Sequence, residues 1–179
     1  MSSDEATFAR LYDEHYDEVH AFCARRVGWS DADDVAAEVF TAAWRRIADV
    51  DLSFARAWLF GVARKVVLNQ WRSTSRRGRL RERIAGVRPS QPEQPEAIVV
   101  RRAEDQDVIA ALNDLRASDR EILRLAAWEE LTGPEIAVAL NISLSATQQR
   151  LHRAKRRLAA LLVPEPPRAT NAAEGEAQA

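Results

Sequence analysis

Cysteine is nearly absent from this chain: Cys23 is the one such residue in 179. A lone cysteine forms no internal disulfide, which excludes the small stapled scaffolds of secreted proteins and suits a reducing compartment. Its expected place is the core, as a small apolar side chain. Metal ligands are equally sparse. His15, Glu18 and His20 sit on one helical stretch with no cysteine cluster beside them, and read as surface residues rather than a converging ligand set, so no metal is expected. Long apolar runs are also missing. The longest, Ala57 to Ala63 with Gly61 counted in, is far short of the roughly 20 residues that cross a bilayer. The opening Met-Ser-Ser-Asp-Glu lacks the basic and apolar regions of a secretory leader, and a cytoplasmic location is expected. Glycine-rich phosphate loops and activated serine or cysteine patterns do not occur. Asp33, Asp34 and Glu38 are helix-surface acids without a neighbouring base or metal. An enzyme is therefore not expected, and no cofactor is implied. No stretch carries a strand pattern, so the expected fold is all-α.

Net charge is low as well, at −1, but the balance hides blocks. Residues 1–40 carry ten acids and three bases, whereas 41–83 carry eleven bases and three acids. Residues 84–149 return to eleven acids against six bases, and 150–157 hold five bases and no acid. Screening limits the reach of a charge to about 8 Å at cellular ionic strength, so the blocks matter more than their sum. Two basic patches separated by acidic surface suggest two contacts with a polyanion. Solvated helix faces are the plainer alternative on charge alone.

Phe8, Leu11, Tyr12, Tyr16, Val19, Phe22, Cys23 and Val27 recur at helical spacing up to Gly28. Ser30 or Asp31 is the expected cap of a second helix, with Val35, Val39, Phe40, Ala43, Trp44 and Ile47 on its apolar face. Ser53 is the expected cap of a third, striped by Trp58, Leu59, Val62, Ala63 and Val66. The tryptophans Trp44, Trp58 and Trp128 read first as core, with Trp58 able to serve as a contact too. From Ser73 the periodicity fades into an arginine run, Arg76 to Arg83, and then into Pro89, Pro92 and Pro95, the composition of a linker.

Pro95 suits the first turn of a helix that opens the second half. Val108, Leu112 and Leu115 continue its stripe. Ser118 to Glu121 and Thr132 to Glu135 both have the form of a capping box, and Asn141 suits the left-handed turn after the second of them. The last helix directs Leu151, Ala154, Leu158 and Leu161 inward and Gln148, Gln149, Arg150, Arg153, Arg156 and Arg157 outward. Pro164 ends it, and an Ala/Glu-rich tail with no core-forming residues follows. A short helix, a tight turn and a basic, amide-rich helix form the layout of a helix-turn-helix. Small residues at the helix start, Ser145 to Thr147, permit close approach to the major groove. Gln148 and Gln149 pair with adenine, and arginines suit guanine or phosphate. An amphipathic packing helix with a solvated basic face is the alternative.

The stretch Ala110 to Leu158 resembles the C-terminal promoter-binding domain of bacterial extracytoplasmic-function sigma factors. Phe8 to Tyr16, Asp31 to Phe40 with Ala43-Trp44-Arg45, and Arg56 to Arg64 resemble the N-terminal domain of the same family, in order. The resemblance spans about residues 7–162. It implies region 2, for core polymerase binding and minus-10 recognition, at 1–75, a linker at 76–104, region 4 at 105–163 and a disordered tail at 164–179. It further implies core RNA polymerase and promoter DNA as partners, an anti-sigma factor as a candidate partner, and no membrane insertion. Asp34, Glu38 and Phe40 would meet the clamp helices of the largest polymerase subunit. Phe54, Trp58, Arg64, Lys65 and Arg72 would capture the minus-10 strand, through stacking and backbone contacts. Ser145, Thr147, Gln148, Gln149, Arg150, Arg153 and Arg157 would read the minus-35 duplex. The sequence departs from the family pattern in Lys65, where many members have asparagine, and in Ala37, where glutamine is frequent. Ser145 to Gln149 replaces the common Gly-Thr-Val-Lys-Ser. A stand-alone helix-turn-helix regulator and a polymerase-blocking sigma mimic are the rival readings.

Overall fold

The computed structural model describes residues 3–85 and 103–162. Seven α-helices account for nearly all of it, α1 Ser3–Val27, α2 Trp29–Trp44, α3 Ala55–Ala85, α4 Ala103–Asp114, α5 Ala117–Ala127, α6 Gly133–Leu140 and α7 Leu144–Leu162, and no strand occurs among the described residues. Helices α1 to α3 pack against one another, as do α4 to α7.

Gly28 separates α1 from α2 by adopting φ 88 and ψ 160, a region essentially closed to side chains. Its N–H still closes on Ala24 O at 3.0 Å, so the chain leaves α1 and enters α2 without a loop. Gly28 is therefore the residue before α2, and Ser30 and Asp31 lie within the first turn instead of capping it. The expected cap at Ser53 moves in the same way. Leu52–Phe54 forms a 3₁₀ turn, and Asp51 accepts from the Ser53 N–H at 2.9 Å. Ser118 is also not a cap. Helix α5 begins after Arg116, and the two acids behind Ser118 are used elsewhere, Asp119 on Arg157 and Glu121 on Arg26.

Helix α3 continues to Ala85, so the arginine run that reads as linker is helical. An arginine-rich stretch without proline or β-branched residues has good helix propensity, which the loss of apolar periodicity conceals. The prolines Pro89, Pro92 and Pro95 and the tail beyond Leu162 lie outside the described residues.

Phe22, Cys23, Val39, Leu59, Phe60 and Val67 centre the first bundle, and Ile122, Leu125, Ile136 and Ala154 the second. Together they form one continuous apolar cluster, because α6 lies along α3. A Cβ on Gly61 would stand 3.0 Å from Ala139 O and 3.4 Å from Ala139 Cα, so the two helices meet backbone to backbone.

Candidate nucleic-acid and polymerase interfaces

Helix α6 is set by a complete capping box. Thr132 N and Thr132 Oγ1 both donate to Glu135 Oε2, at 2.8 and 2.7 Å. Burial pushes the Glu135 carboxyl up, but these two hydrogen bonds and the Arg56 charge outweigh it and hold the group below the usual glutamate range. Pro134 lies in the first turn. Asn141 ends the helix at φ 52 and ψ 54, and the Ile142 N–H returns to Ala137 O at 3.0 Å. This turn launches α7, whose first turn is held by Ser143 Oγ accepting from the Ala146 N–H at 3.1 Å.

Four positions of α7 at helical spacing, Thr147, Leu151, Ala154 and Leu158, face the bundle. Thr147 and Ala154 are fully buried, and Thr147 Oγ1 donates to Ser143 O at 3.1 Å. Thr147 is thus a core residue, not a base contact, since its position is one turn before Leu151 on the inner stripe. Leu161, expected inside, is 47% exposed. Ser145, Gln148, Gln149, Arg150, Arg153 and Arg157 are all exposed. Among them Arg157 pairs with Asp119 at the flank, which ties α7 to α5. His152 and Arg156 are exposed half a turn from the buried stripe, beside Ser145, Gln149 and Arg153. Counting outward from Ala154 places them there. The outward stripe therefore presents hydroxyl, amide, imidazole and guanidinium groups, a set that reads base edges and phosphates in a major groove.

The structure divides the expected minus-10 set. Trp58, Lys65 and Arg72 recur every seven residues on α3, with Lys65 and Arg72 exposed and Trp58 half-buried. The Arg46 guanidinium stands 5.8 Å from the Trp58 ring centroid. Asn69 is exposed one turn after Lys65. Neither Arg46 nor Asn69 was apparent from the stripe of α3, although the Arg45-Arg46 pair directly after Trp44 is a sequence signal. Arg64 and Phe54 lie elsewhere. Arg64 Nε is 4.0 Å from Glu121 Oε1, and Phe54 lines a crevice with Arg10, His15 and Glu135.

On α2, Asp34 and Glu38 are exposed one turn apart, an acidic edge for a basic partner. Phe40 is 3% exposed, with ring centroids of Tyr12 at 4.8 Å and of Tyr16, stacked, at 5.9 Å. It joins α1 to α2 and lies at the base of an open groove of about 570 Å³ lined by Phe8, Tyr12, Tyr16 and Trp44. Trp44, expected in the core, is 42% exposed and forms part of the groove wall with Phe8, 5.2 Å between centroids. Among the described residues no group of acids, histidines and cysteine could hold a metal, and no helix is long and apolar enough to cross a membrane.

Comparison with known proteins agrees with this geometry. Residues 11–77 match the family described as Sigma-70 region 2, and residues 105–158 match Sigma-70, region 4. The chain is 32% identical over 169 residues to the RNA polymerase sigma factor NccH of Alcaligenes xylosoxydans xylosoxydans, covering 89% of this chain and 88% of the relative. It is also 32% identical over 163 residues to the ECF RNA polymerase sigma factor SigL of Mycobacterium tuberculosis, covering 88% and 89%. A solved structure of the sigma factor RpoE in complex with the anti-sigma factor NepR from Bartonella quintana aligns with TM-score 0.59 at 25% identity, covering 87% of this chain and 96% of that one. CnrH in complex with the cytosolic domain of CnrY aligns with TM-score 0.55 at 27% identity, covering 87% and 86%. Two helical units in this order, each matched to its own sigma region, define a promoter-specificity factor of RNA polymerase. The chain belongs to the extracytoplasmic-function group of RNA polymerase sigma factors and directs promoter-specific transcription.

Proposed function

We propose that residues 105–163 read the minus-35 element through α7 and that residues 1–75 bind core polymerase and capture the minus-10 strand, with 76–104 connecting them. The observation that carries the minus-35 assignment is the division of α7. Ala154 and Thr147 are sealed inside, while the cationic and amide side chains stand outside, on a helix that follows the left-handed turn ending α6. Ser145, Gln148, Gln149, His152 and Arg153 take the base edges. Arg150 and Arg156 take phosphates, and Arg157, held by Asp119, orients the helix. On α3 the minus-10 strand runs along Trp58, Lys65, Asn69 and Arg72, with Trp58 as the stacking ring and Arg46 beside it.

Asp34 and Glu38 meet the polymerase clamp, and Phe40 acts behind them by supporting the α2 surface. The protein performs no chemistry of its own, since the polymerase supplies catalysis, and its place of work is the cytoplasm. Because RpoE is seen in complex with the anti-sigma factor NepR, and CnrH with the cytosolic domain of CnrY, the aromatic groove beside α2 is the surface we assign to an anti-sigma factor here.

The test is promoter strength measured in runoff transcription with core polymerase. Arg153→Ala is expected to weaken minus-35-dependent promoters by about 1–3 kcal/mol, one lost contact. Trp58→Ala, with folding verified, is expected to leave minus-35 binding intact and to reduce open-complex formation, read as permanganate reactivity of unpaired thymines. Unchanged promoter strength for Arg153→Ala, or normal melting for Trp58→Ala, would remove the residue concerned from its site.

A further inference from the structure

Arg64, Val67, Leu68 and Trp71 recur on α3 at spacings of three and four. They stand about 100° round the helix from Lys65, Asn69 and Arg72, so they form a face of their own beside the nucleic-acid stripe. This face turns toward the start of α5. With Arg26, in the last turn of α1, it borders a cavity of about 170 Å³ that is open on one side.

Four guanidinium groups line the cavity, those of Arg26, Arg64, Arg120 and Arg124, against the single carboxylate of Glu121. Arg26 and Arg124 are 3% and 6% exposed and form the deep end, while Arg64 and Arg120 are half-buried nearer the mouth. Glu121 Oε1 stands 3.4 Å from Arg26 Nη2 and 4.0 Å from Arg64 Nε. The wall therefore carries one anionic group and four cationic ones, and a concave surface of one prevailing sign concentrates counter-ions. Helix α5 begins here without a side-chain cap. Its Asp119 and Arg120 N–H groups close on Arg116 O at 2.9 and 3.0 Å, and the Asp119 carboxylate is drawn away to Arg157. Ala117 and Ser118, the first two residues of the helix, line the cavity, and the N–H groups of a first turn favour an anion. Ser118, which does not cap the helix, adds an exposed hydroxyl. On the opposite wall, beside the apolar Val67 and Leu68, Trp71 Nε1 is buried without a hydrogen-bond partner, an unmet donor.

The chemistry of these groups selects the ligand. Clustered guanidinium forks match the several oxygens of a phosphoryl group better than a single point charge does. The cavity is below the roughly 300–1,000 Å³ of drug-sized sites, which suits a phosphoryl group on a short carbon body. The depth of Arg26 and Arg124 keeps out a phosphate carried on a nucleic-acid strand. We propose that this cavity binds the phosphate monoester of a small sugar-like molecule. Its oxygens lie on Arg64, Arg120 and the first turn of α5, its carbon body lies against Leu68 and Trp71, and Arg26 and Arg124 supply positive charge behind.

The experiment titrates the full chain with ribose 5-phosphate by calorimetry, in phosphate-free buffer at fixed ionic strength, with inorganic phosphate and unphosphorylated ribose as comparisons. One saturable site is expected for ribose 5-phosphate, weaker binding for inorganic phosphate and none for ribose. Arg64→Gln and Ser118→Asp are each expected to weaken ribose 5-phosphate binding by about 10- to 100-fold, the worth of one charge-assisted contact. Ser118→Asp sets a carboxylate at an exposed place in the first turn of α5, which favours the helix, so binding is lost there without loss of folding. Arg10→Gln removes the same charge from an exposed position on α1 and is expected to change binding by less than about twofold.

Absence of ribose 5-phosphate binding would overturn the site. Inorganic phosphate binding as tightly would overturn the monoester assignment, and an Arg10→Gln loss equal to that of Arg64→Gln would reduce the effect to net charge and overturn it as well. Displacement of bound ribose 5-phosphate by a short single-stranded oligonucleotide would give the cavity to nucleic acid instead.

Discussion

Thr147 and Gln148 are neighbours in sequence, yet one is sealed in the core and the other open to solvent. The inner stripe Leu151, Ala154 and Leu158 is legible from apolar periodicity. Thr147 was not, because a hydroxyl amino acid at a helix start resembles a DNA contact more than a core residue. Its Oγ1 satisfies itself on Ser143 O, which makes burial inexpensive. Thr147→Val is therefore expected to leave minus-35 affinity within about twofold in a binding titration, whereas a large loss with folding retained would return Thr147 to the site. Cys23 is the converse case, read correctly as core. Burial pushes its thiol up to about 12, above the opposing charges of Arg26 and Arg25. The folded protein is expected to resist alkylation at pH 8 and to react only on unfolding, and rapid labelling of the native protein would contradict this. At Gly28 nothing lies within 4 Å of an added Cβ, so Gly28→Ala isolates the backbone term. Its expected cost is about 1–3 kcal/mol in denaturant unfolding, and a neutral result would refute the strain.

Among the elements, α6 is specified most directly by sequence: Thr132, Pro134, Glu135 and Asn141 each do what their residue types predict. The same reasoning failed at Ser118, where an equally good capping pattern competes with long-range partners for its acids. Tertiary ion pairs decide that choice, and a local pattern does not contain them. The extent of α3 was illegible for another reason, since Arg76 to Arg83 lack the apolar stripe on which helix detection relies. For α6, Thr132→Ala is expected to cost about 1 kcal/mol of stability. The Glu135 carboxyl is depressed in the fold, so its contribution is present above the unfolded value of about 4.3 and is lost as pH falls through the lower folded value. Wild-type stability is expected to fall over that acid range more steeply than that of Glu135→Gln, as measured by thermal unfolding against pH. Parallel curves would contradict the assignment.

At the scale of the molecule, the alternating charge blocks acquire a concrete form. The basic stretch 41–83 supplies α3, the basic stretch 150–157 supplies α7, and the acids between them include Glu121 and Glu129, which close on region 2. Charge counting located the patches, but not that one pairs with acids of the other domain. The two-domain helical architecture and its order were legible because each half carries its own motif, and the docking was not, because no local signal records which faces meet.

The most direct measurement adds the purified chain to core RNA polymerase freed of other sigma factors and maps transcript starts across a library of genomic fragments. Discrete starts preceded by two shared elements, one near −35 and one near −10, are the expected result. Core binding without transcripts, or duplex binding without any affinity for core, would contradict the account.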